Sequence, residues 1–198
     1  LIIEVPKLDS SDFGRNTIGA VAGRKETEDV EIGLDKYSED LLETFIEKSQ
    51  CNVKLYSEHS NRIIGDIDQR DYLITCDPFD GSGHYMRGVP GEWWSVLTVW
   101  DHGSMKPIWA GAADINRKEL YIADSQGVKL ETLSDDQSRP VTASNQTKIS
   151  GDSIIAAYLM SPEYIRYWTS KSSKLLQSLE ENHPTARIWT DGGACSYP

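Results

Sequence analysis

Hydrophobic residues recur at helical spacing between residues 34 and 48, and they alternate with polar residues in several shorter segments. The helical set comprises Leu34, Tyr37, Leu41, Leu42, Phe45 and Ile46. Residues three and four positions apart lie on one face of an α-helix. We therefore predict an amphipathic helix from Leu34 to Lys48, with most of its apolar stripe in the core and Asp35 near its start.

Five short segments rich in β-branched and aromatic residues have the alternation and the turn-rich connections typical of β-strands. These segments are Asn52 to Tyr56, Asp71 to Cys76, Ser95 to Trp100, Ile108 to Ala113 and Glu119 to Ala123. Together they predict a sheet that carries the functional site at one edge.

The polar segment from Ser134 to Ser150 has the composition of a connection between two domains. After it, Ser153 to Leu159 predicts a strand, Pro162 to Glu181 a helix, and Ala186 to Trp189 another strand. The residues predicted to face inward on this helix are Tyr164, Tyr167, Trp168, Leu175 and Leu179. Strand, helix and strand in succession favour a parallel crossover. We predict an α/β (α+β) protein with an N-terminal domain over residues 1–146 and a second α/β domain that begins in 147–198.

Composition excludes several classes of partner. The chain has 198 residues, of which 38% are hydrophobic, and a formal net charge of −11. A nucleic-acid polymer is not expected as a partner, because contacts to its backbone require clustered Lys and Arg. No segment approaches the ~18 consecutive apolar residues of a membrane helix, so we expect no membrane association and a cytoplasmic location. The scattered cysteines Cys51, Cys76 and Cys195 are expected to be reduced thiols.

The most informative segment is Asp77-Pro78-Phe79-Asp80-Gly81-Ser82, which directly follows the predicted strand ending at Cys76. The residue before a proline prefers extended backbone, so Asp77 should continue the strand while Pro78 starts a turn that brings Asp80 round. Gly81 permits close approach of a ligand, and backbone amides at a helix start bind phosphate oxygens. Carboxylates at this density predict Mg²⁺ or Mn²⁺ rather than zinc.

The same residues have two other interpretations. Asp, Pro and Gly are also the residues of ordinary surface turns. The haloacid-dehalogenase phosphatases also use two aspartates, but one residue separates them there, whereas two separate Asp77 from Asp80. An aspartyl-phosphate mechanism on Asp77 is therefore disfavoured.

Acidic residues upstream complete a pattern that resembles a known family. Asp35 lies at the start of the predicted helix, and Glu58 lies in Ser57-Glu58-His59-Ser60. Asp at a helix start, then Ser-Glu-x-Ser, then Asp-Pro-x-Asp-Gly-Ser is similar to the Mg²⁺-dependent, Li⁺-sensitive phosphatases of the inositol monophosphatase and fructose-1,6-bisphosphatase superfamily. The resemblance implies a layered α-β-α-β sandwich and covers the chain from about Gly23 onwards.

The resemblance also implies roles for individual residues. Glu58, Asp77 and the Phe79 carbonyl would bind a first metal, and Asp77 would bridge to a second that Asp80 also holds. Asp35 and Ser82 match the pair that positions and helps to deprotonate the attacking water. The phosphate-binding residues implied are Asp80, Gly81, Ser82 and Gly193. The family also implies that two copies can form a homodimer.

Two features depart from the family pattern. Where many members have two consecutive glutamates, this chain has Glu58-His59. His59 is either a surface residue, which we favour, or a residue that tunes metal-bound water. The stretch from Arg187 to Pro198 resembles a strand and glycine-rich helix start inside the family's second domain, and the later Trp-Asp segment has no counterpart. We expect either that the sequence is part of a longer protein or that it is a shortened homologue with a weakened second metal site.

The predicted function is a Mg²⁺-dependent phosphomonoesterase that hydrolyses a small inositol or sugar phosphate with activated water. Arg87 and Gly91-Glu92-Trp93 are somewhat similar to the branch that acts on adenosine 3′,5′-bisphosphate, which remains an alternative, although Trp93 and Trp94 fit core packing better than base stacking. A non-catalytic homologue that binds phosphate or metal is the competing class.

Overall fold

The computed structural model describes residues 5–8, 12–20, 30–66, 68–89, 91, 93–134, 137–158 and 162–191. These residues divide between two compact units, Leu1–Val141 and Thr142–Pro198. The domain boundary predicted from the sequence, between residues 146 and 147, lies five residues after the boundary between these units. Strand formation explains the difference, because a strand that pairs with the first unit ends at Val141.

The first unit contains short helices, one long helix and ten strands among the described residues. The helical segments are α1 (Val5–Leu8), a 3₁₀ turn (Asp12–Arg15), α2 (Gly33–Ser49) and α3 (Ser82–Met86). The strands are β1 (Thr17–Ala20), β2 (Val30–Ile32), β3 (Val53–Tyr56), β4 (Asn61–Ile64), β5 (Tyr72–Asp80), β6 (Trp94–Asp101), β7 (Lys106–Asp114), β8 (Glu119–Asp124), β9 (Gly127–Thr132) and β10 (Gln137–Val141).

Eight of these strands form one sheet in the order β10-β9-β8-β7-β6-β5-β3-β4. All five predicted strands are present in it, and the predicted mixed α/β class is confirmed. Three further strands, β4, β9 and β10, were not predicted. Strand β5 lies inside the sheet, parallel to β3 and antiparallel to β6. The motif is therefore at the end of an interior strand and not at the sheet's outer edge.

Strand β5 continues through the motif to Asp80, so the turn predicted at Pro78 is wrong. The pairing with β6 instead shifts between Asp77 and Asp80. Pro78 lies within this irregularity, where its missing N–H removes no regular ladder bond. The regular β5–β6 pairing is thus interrupted shortly before Gly81.

Helix α2 is present as predicted, and four of the six residues in the predicted stripe pack in or against the core: Leu34, Tyr37, Leu42 and Ile46. Leu34 and Ile46 are buried, whereas Leu41 is exposed and Phe45 is 71% exposed. The inward face also carries a polar set comprising Asp35, Ser38, Glu39 and Glu43. These positions repeat at helical spacing, so the periodicity was right and the assignment of the inner face was partly wrong.

The core of the first unit has two clusters. One contains Val5, Ile32, Leu34, Phe79, Tyr85, Trp93 and Ile115. The other contains Ile46, Val53, Leu55 and Ile74. Helix α2 contributes to both clusters, and strand β5 does too, so these two elements are held against the same packed interior.

The second unit has a parallel pair of strands, β11 (Ile154–Tyr158) and β12 (Arg187–Asp191), as the crossover prediction required. The single helix predicted between them is two helices, α4 (Pro162–Lys171) and α5 (Ser173–Asn182). Leu179 is buried, but Tyr164, Tyr167 and Leu175 are exposed. The inward orientation predicted for these three is therefore wrong, because the described part of this unit has only two strands to cover them.

Within the described part of the chain, no helix is both long and apolar enough to cross a membrane.

Candidate metal and phosphate site

The end of strand β5 places the motif between the core and the start of helix α3. The Phe79 ring is buried, and its backbone N–H donates to Asp77 Oδ1 at 3.1 Å. Gly81 has φ 107°, a backbone conformation that favours glycine, and it precedes the first residue of α3. Burial of Phe79 fixes the backbone, so Asp77 and Asp80 are placed by a rigid segment.

Asp35 and Ser82 meet although they are 47 residues apart in sequence. The Ser82 hydroxyl donates to Asp35 Oδ1 at 2.6 Å, and the Ile32 backbone N–H donates to Asp35 Oδ2 at 2.8 Å. The Ser82 hydroxyl also lies 3.3 Å from the Phe79 carbonyl oxygen. Asp35 is only 2% exposed. Helix α2 therefore supplies a buried, oriented carboxylate, and helix α3 supplies the hydroxyl that binds it.

Burial changes the acidity of both principal aspartates. Burial, the largest cause, and the like charges of Glu58, Asp80 and Asp35 together raise the pKa of Asp77 from 3.8 to about 8, although the hydrogen bond from the Phe79 N–H lowers it. Burial also raises the pKa of Asp35 to about 6, although the hydrogen bonds from Ser82 and Ile32 oppose the change. The carboxylates are therefore close enough for each to disfavour ionisation of another.

Glu58 and His59 occupy the turn between β3 and β4. Glu58 is exposed, and its charge raises the pKa of both Asp35 and Asp77. His59 is half-buried, and a protonated imidazole there would lower the pKa of Asp35. The surface role favoured for His59 and its alternative, the tuning of metal-bound water, both stay predictions.

The donor atoms suit a hard divalent cation. Glu58, Asp77, Asp80 and the Phe79 carbonyl offer oxygen only, which Mg²⁺ and Mn²⁺ prefer. Positive charge would relieve the mutual repulsion that raises the pKa of Asp77. Among the described residues, no three His, Cys, Asp or Glu side chains stand at the spacing of a completed metal site. The chemistry of the donors fits such an ion, and the metal assignment stays a prediction.

Two further predictions concern Gly193 and the pair of tryptophans at 93 and 94. Gly193 lies outside the described residues. Trp93 and Trp94 are 9% and 5% exposed, and Trp93 packs edge-to-face on Tyr85 with ring centroids 5.2 Å apart. The core interpretation of these tryptophans is confirmed.

A buried polar set around Glu39 was missed from the sequence. Glu39 accepts hydrogen bonds from the hydroxyls of Ser57 and Ser60, and Glu43 accepts one from Arg62 at 2.8 Å. The sequence feature that could have indicated this set is the four-residue spacing of Asp35, Glu39 and Glu43, which places them on one face of a helix. Only the packing of α2 shows that these acids face the sheet.

Comparisons with known proteins agree with the architecture. No protein-family model matches the chain. A curated relative, the fructose-1,6-bisphosphatase of Schizosaccharomyces pombe, is 25% identical and covers 88% of this chain. The match covers 53% of that relative, so the chain spans about half its length.

Three solved structures share the fold. The extragenic suppressor protein suhB of Bartonella henselae has a TM-score of 0.65 at 18% identity and covers 93% of this chain. The fructose-1,6-bisphosphatase of Leishmania major has a TM-score of 0.62 at 18% identity and covers 97%. The IMPase of Thermotoga maritima has a TM-score of 0.64 at 16% identity and covers 96%. Each match covers 65% of the solved chain. This chain therefore shares the fold of the matched part of a suhB protein, a fructose-1,6-bisphosphatase and an IMPase, the fold that its motifs predict.

Proposed function

We propose that the protein is a metal-dependent phosphomonoesterase that hydrolyses a small phosphorylated metabolite of the inositol or sugar phosphate type. The single observation that carries the proposal is the 2.6 Å hydrogen bond from Ser82 to the buried Asp35, beside the carboxylates of strand β5. A hydroxyl bound to a buried carboxylate, next to oxygen donors for a cation, is suited to orient a water molecule towards a phosphoryl group. The superfamily fold supports this interpretation.

Asp35 is the proton acceptor in this scheme. Its Oδ2 accepts a hydrogen bond from the Ile32 N–H, and its Oδ1 accepts one from the Ser82 hydroxyl. The Ser82 oxygen retains lone pairs that can accept a proton from water, so the pair forms a relay from water to carboxylate. With a pKa of about 6, Asp35 is mostly ionised at neutral pH and is a stronger base than an ordinary aspartate.

Glu58, Asp77 and the Phe79 carbonyl would hold one divalent cation, Mg²⁺ or Mn²⁺, and Asp77 and Asp80 would hold a second. When bound, the cations supply positive charge that stabilises the transferring phosphoryl group and its leaving oxygen. Asp77 contributes by placing a negative charge at the end of a rigid strand, where the Phe79 N–H fixes its carboxylate. The nucleophile is water in this proposal, so no phosphorylated enzyme accumulates.

The type of site and the names of the relatives support the proposed substrate class. The relatives include fructose-1,6-bisphosphatases and an IMPase. We rank inositol and sugar phosphates first. Adenosine 3′,5′-bisphosphate ranks below them, because Trp93 is committed to the core and does not offer a stacking surface.

The test is phosphate release by the full-length protein from inositol 1-phosphate, fructose 1,6-bisphosphate and adenosine 3′,5′-bisphosphate. Each substrate is assayed with Mg²⁺, with EDTA and with Mg²⁺ plus Li⁺. Release that requires Mg²⁺ and is inhibited by Li⁺ would support the proposal and identify the substrate class. No release by the folded protein would contradict it and favour the non-catalytic homologue.

Ser82→Ala tests the proposed relay. We expect kcat to fall about 10²-fold or more, because the relay loses the hydroxyl, while KM changes by less than about threefold. The matched control is Ser104→Ala, which removes an exposed hydroxyl near Asp101, at the opposite end of the β5–β6 pair. A rise in KM with unchanged kcat in Ser82→Ala would show that this hydroxyl binds phosphate and has no part in proton transfer.

A further inference from the structure

Glu39 is a buried carboxylate with two hydroxyl partners in a single turn. It lies one helical turn after Asp35 on α2 and is 4% exposed. Its Oε1 accepts hydrogen bonds from the hydroxyls of Ser57 and Ser60, the latter at 2.6 Å. Removing a carboxylate from water is costly unless hydrogen bonds compensate, and these two hydroxyls provide that compensation.

The turn that these serines delimit is also closed by its own hydrogen bonds. The Ser60 N–H donates to the Ser57 hydroxyl at 2.9 Å, and the Ser57 N–H donates to the Ser60 carbonyl at 2.8 Å. Only Glu58 and His59 lie between the two serines. The bonds within the turn fix its shape, and the bonds to Glu39 fix its position relative to helix α2.

Glu58 needs such positioning because it is exposed on a turn. The other acids of the site are on the interior strand β5 or the buried face of α2, whereas Glu58 is on an exposed turn. Its charge nevertheless acts on both Asp35 and Asp77. Glu39 is buried and contacts both ends of the turn that carries Glu58.

We propose that Glu39 is a positioning residue: through Ser57 and Ser60 it holds the turn that presents Glu58 to the cation. Helix α2 thereby positions two parts of the site. Asp35 orients Ser82, and Glu39, one helical turn later, orients the β3–β4 turn that carries Glu58. This inference rests on the proposed function. Outer groups that orient a metal ligand typically contribute about 10–100-fold to metal affinity.

The test measures Mn²⁺ affinity of the full-length protein by electron paramagnetic resonance, without substrate. We expect Glu39→Ala to raise the Mn²⁺ Kd about 10–100-fold, as removal of an outer-shell partner does. Glu39→Gln keeps an oxygen that both serines can bind and should recover most of the affinity. The matched control is Glu43→Ala, which removes another buried acid of the same helix face, bound to Arg62 of β4 rather than to the turn. Its Kd should stay within about twofold of the parent.

A parent-like Kd in folded Glu39→Ala would overturn the inference while leaving the proposed function intact. An equal loss of affinity in Glu43→Ala would also overturn it, since the effect would then be general destabilisation. A parent protein that neither binds Mn²⁺ nor releases phosphate would overturn both proposals. If Glu39→Ala does not fold, the double variant Ser57→Ala/Ser60→Ala carries the same expectation, and a parent-like Kd there overturns the inference.

Discussion

Asp77 is the residue at which burial and like charge act together most strongly. It lies at the bulged end of an interior strand, with Asp35 and Glu58 acting on it from two other elements. Without a cation, ionisation of Asp77 is unfavourable, and its pKa rises to about 8. The folded protein therefore binds a proton there that the unfolded chain, with an ordinary aspartate, has released by neutral pH.

The pH dependence of stability follows from this difference. Between about pH 4 and pH 8 the folded state binds more protons at Asp77 than the unfolded state does, so the contribution of Asp77 to stability falls as pH rises. In EDTA, we expect the Tm of Asp77→Asn to be clearly above that of the parent at pH 8. At pH 5 the difference between the two Tm values should be smaller. Thermal denaturation of both proteins at several pH values measures this difference.

Glu47→Gln is the control for that measurement, because Glu47 is an exposed acid on helix α2. Its Tm difference from the parent should change little with pH. Adding Mg²⁺ at pH 8 should raise the Tm of the parent and leave Asp77→Asn nearly unchanged. A pH-independent Tm difference for Asp77→Asn would contradict the assigned burial and charge environment.

Helix α2 shows how a single element can serve both core and site. Its buried face carries Leu34 and Ile46 at the ends and acids between them. Each acid is held by a partner from a different segment: Asp35 by Ser82, Glu39 by Ser57 and Ser60, and Glu43 by Arg62. The apolar ends anchor the helix, and the partners let the acids face inward.

Adjacent positions on α2 test this orientation. Ile46 is 3% exposed and Phe45 is 71% exposed. Ile46→Ala should reduce the free energy of unfolding by about 2–5 kcal/mol, because it leaves a cavity in the second cluster. Phe45→Ala should change it by no more than about 0.5 kcal/mol. Urea denaturation of both variants gives the comparison, and a larger loss in Phe45→Ala would mean that the opposite face is buried.

At the scale of the whole molecule, the chain divides where regular structure stops. Strand β10 ends at Val141, and residues 142–149 are exposed and carry no helix or strand. Exposed chain without backbone pairing is the preferred substrate of proteases. The eight-stranded sheet and the paired acids of the site all lie in the first unit.

Limited trypsin digestion tests this division. We expect early cleavage after Lys148, which is exposed in this segment, to yield a stable fragment that ends there, identified by mass spectrometry. Lys148→Gln should abolish that fragment without affecting other cleavages. Initial cleavage within strands β5 to β9 would contradict the division, since those strands are paired on both sides.

The sequence by itself determined the elements with strong local signals and the chemistry of the motif. Helix α2 follows from 3.6-residue periodicity, and the strands from alternation, because both patterns are set by the geometry of one segment. The succession of Asp, Pro, Phe, Asp, Gly and Ser likewise predicts oxygen donors and a helix start before any contact is known.

Only the tertiary structure decided which groups meet. Asp35 and Ser82 are 47 residues apart, and Glu39 reaches Ser60 across 21, so no local pattern specifies either contact. The choice of inner face on α2 was also a tertiary outcome. An acid can be buried there once hydroxyls or an arginine from another segment satisfy it, and those partners exist only when the sheet has assembled beside the helix.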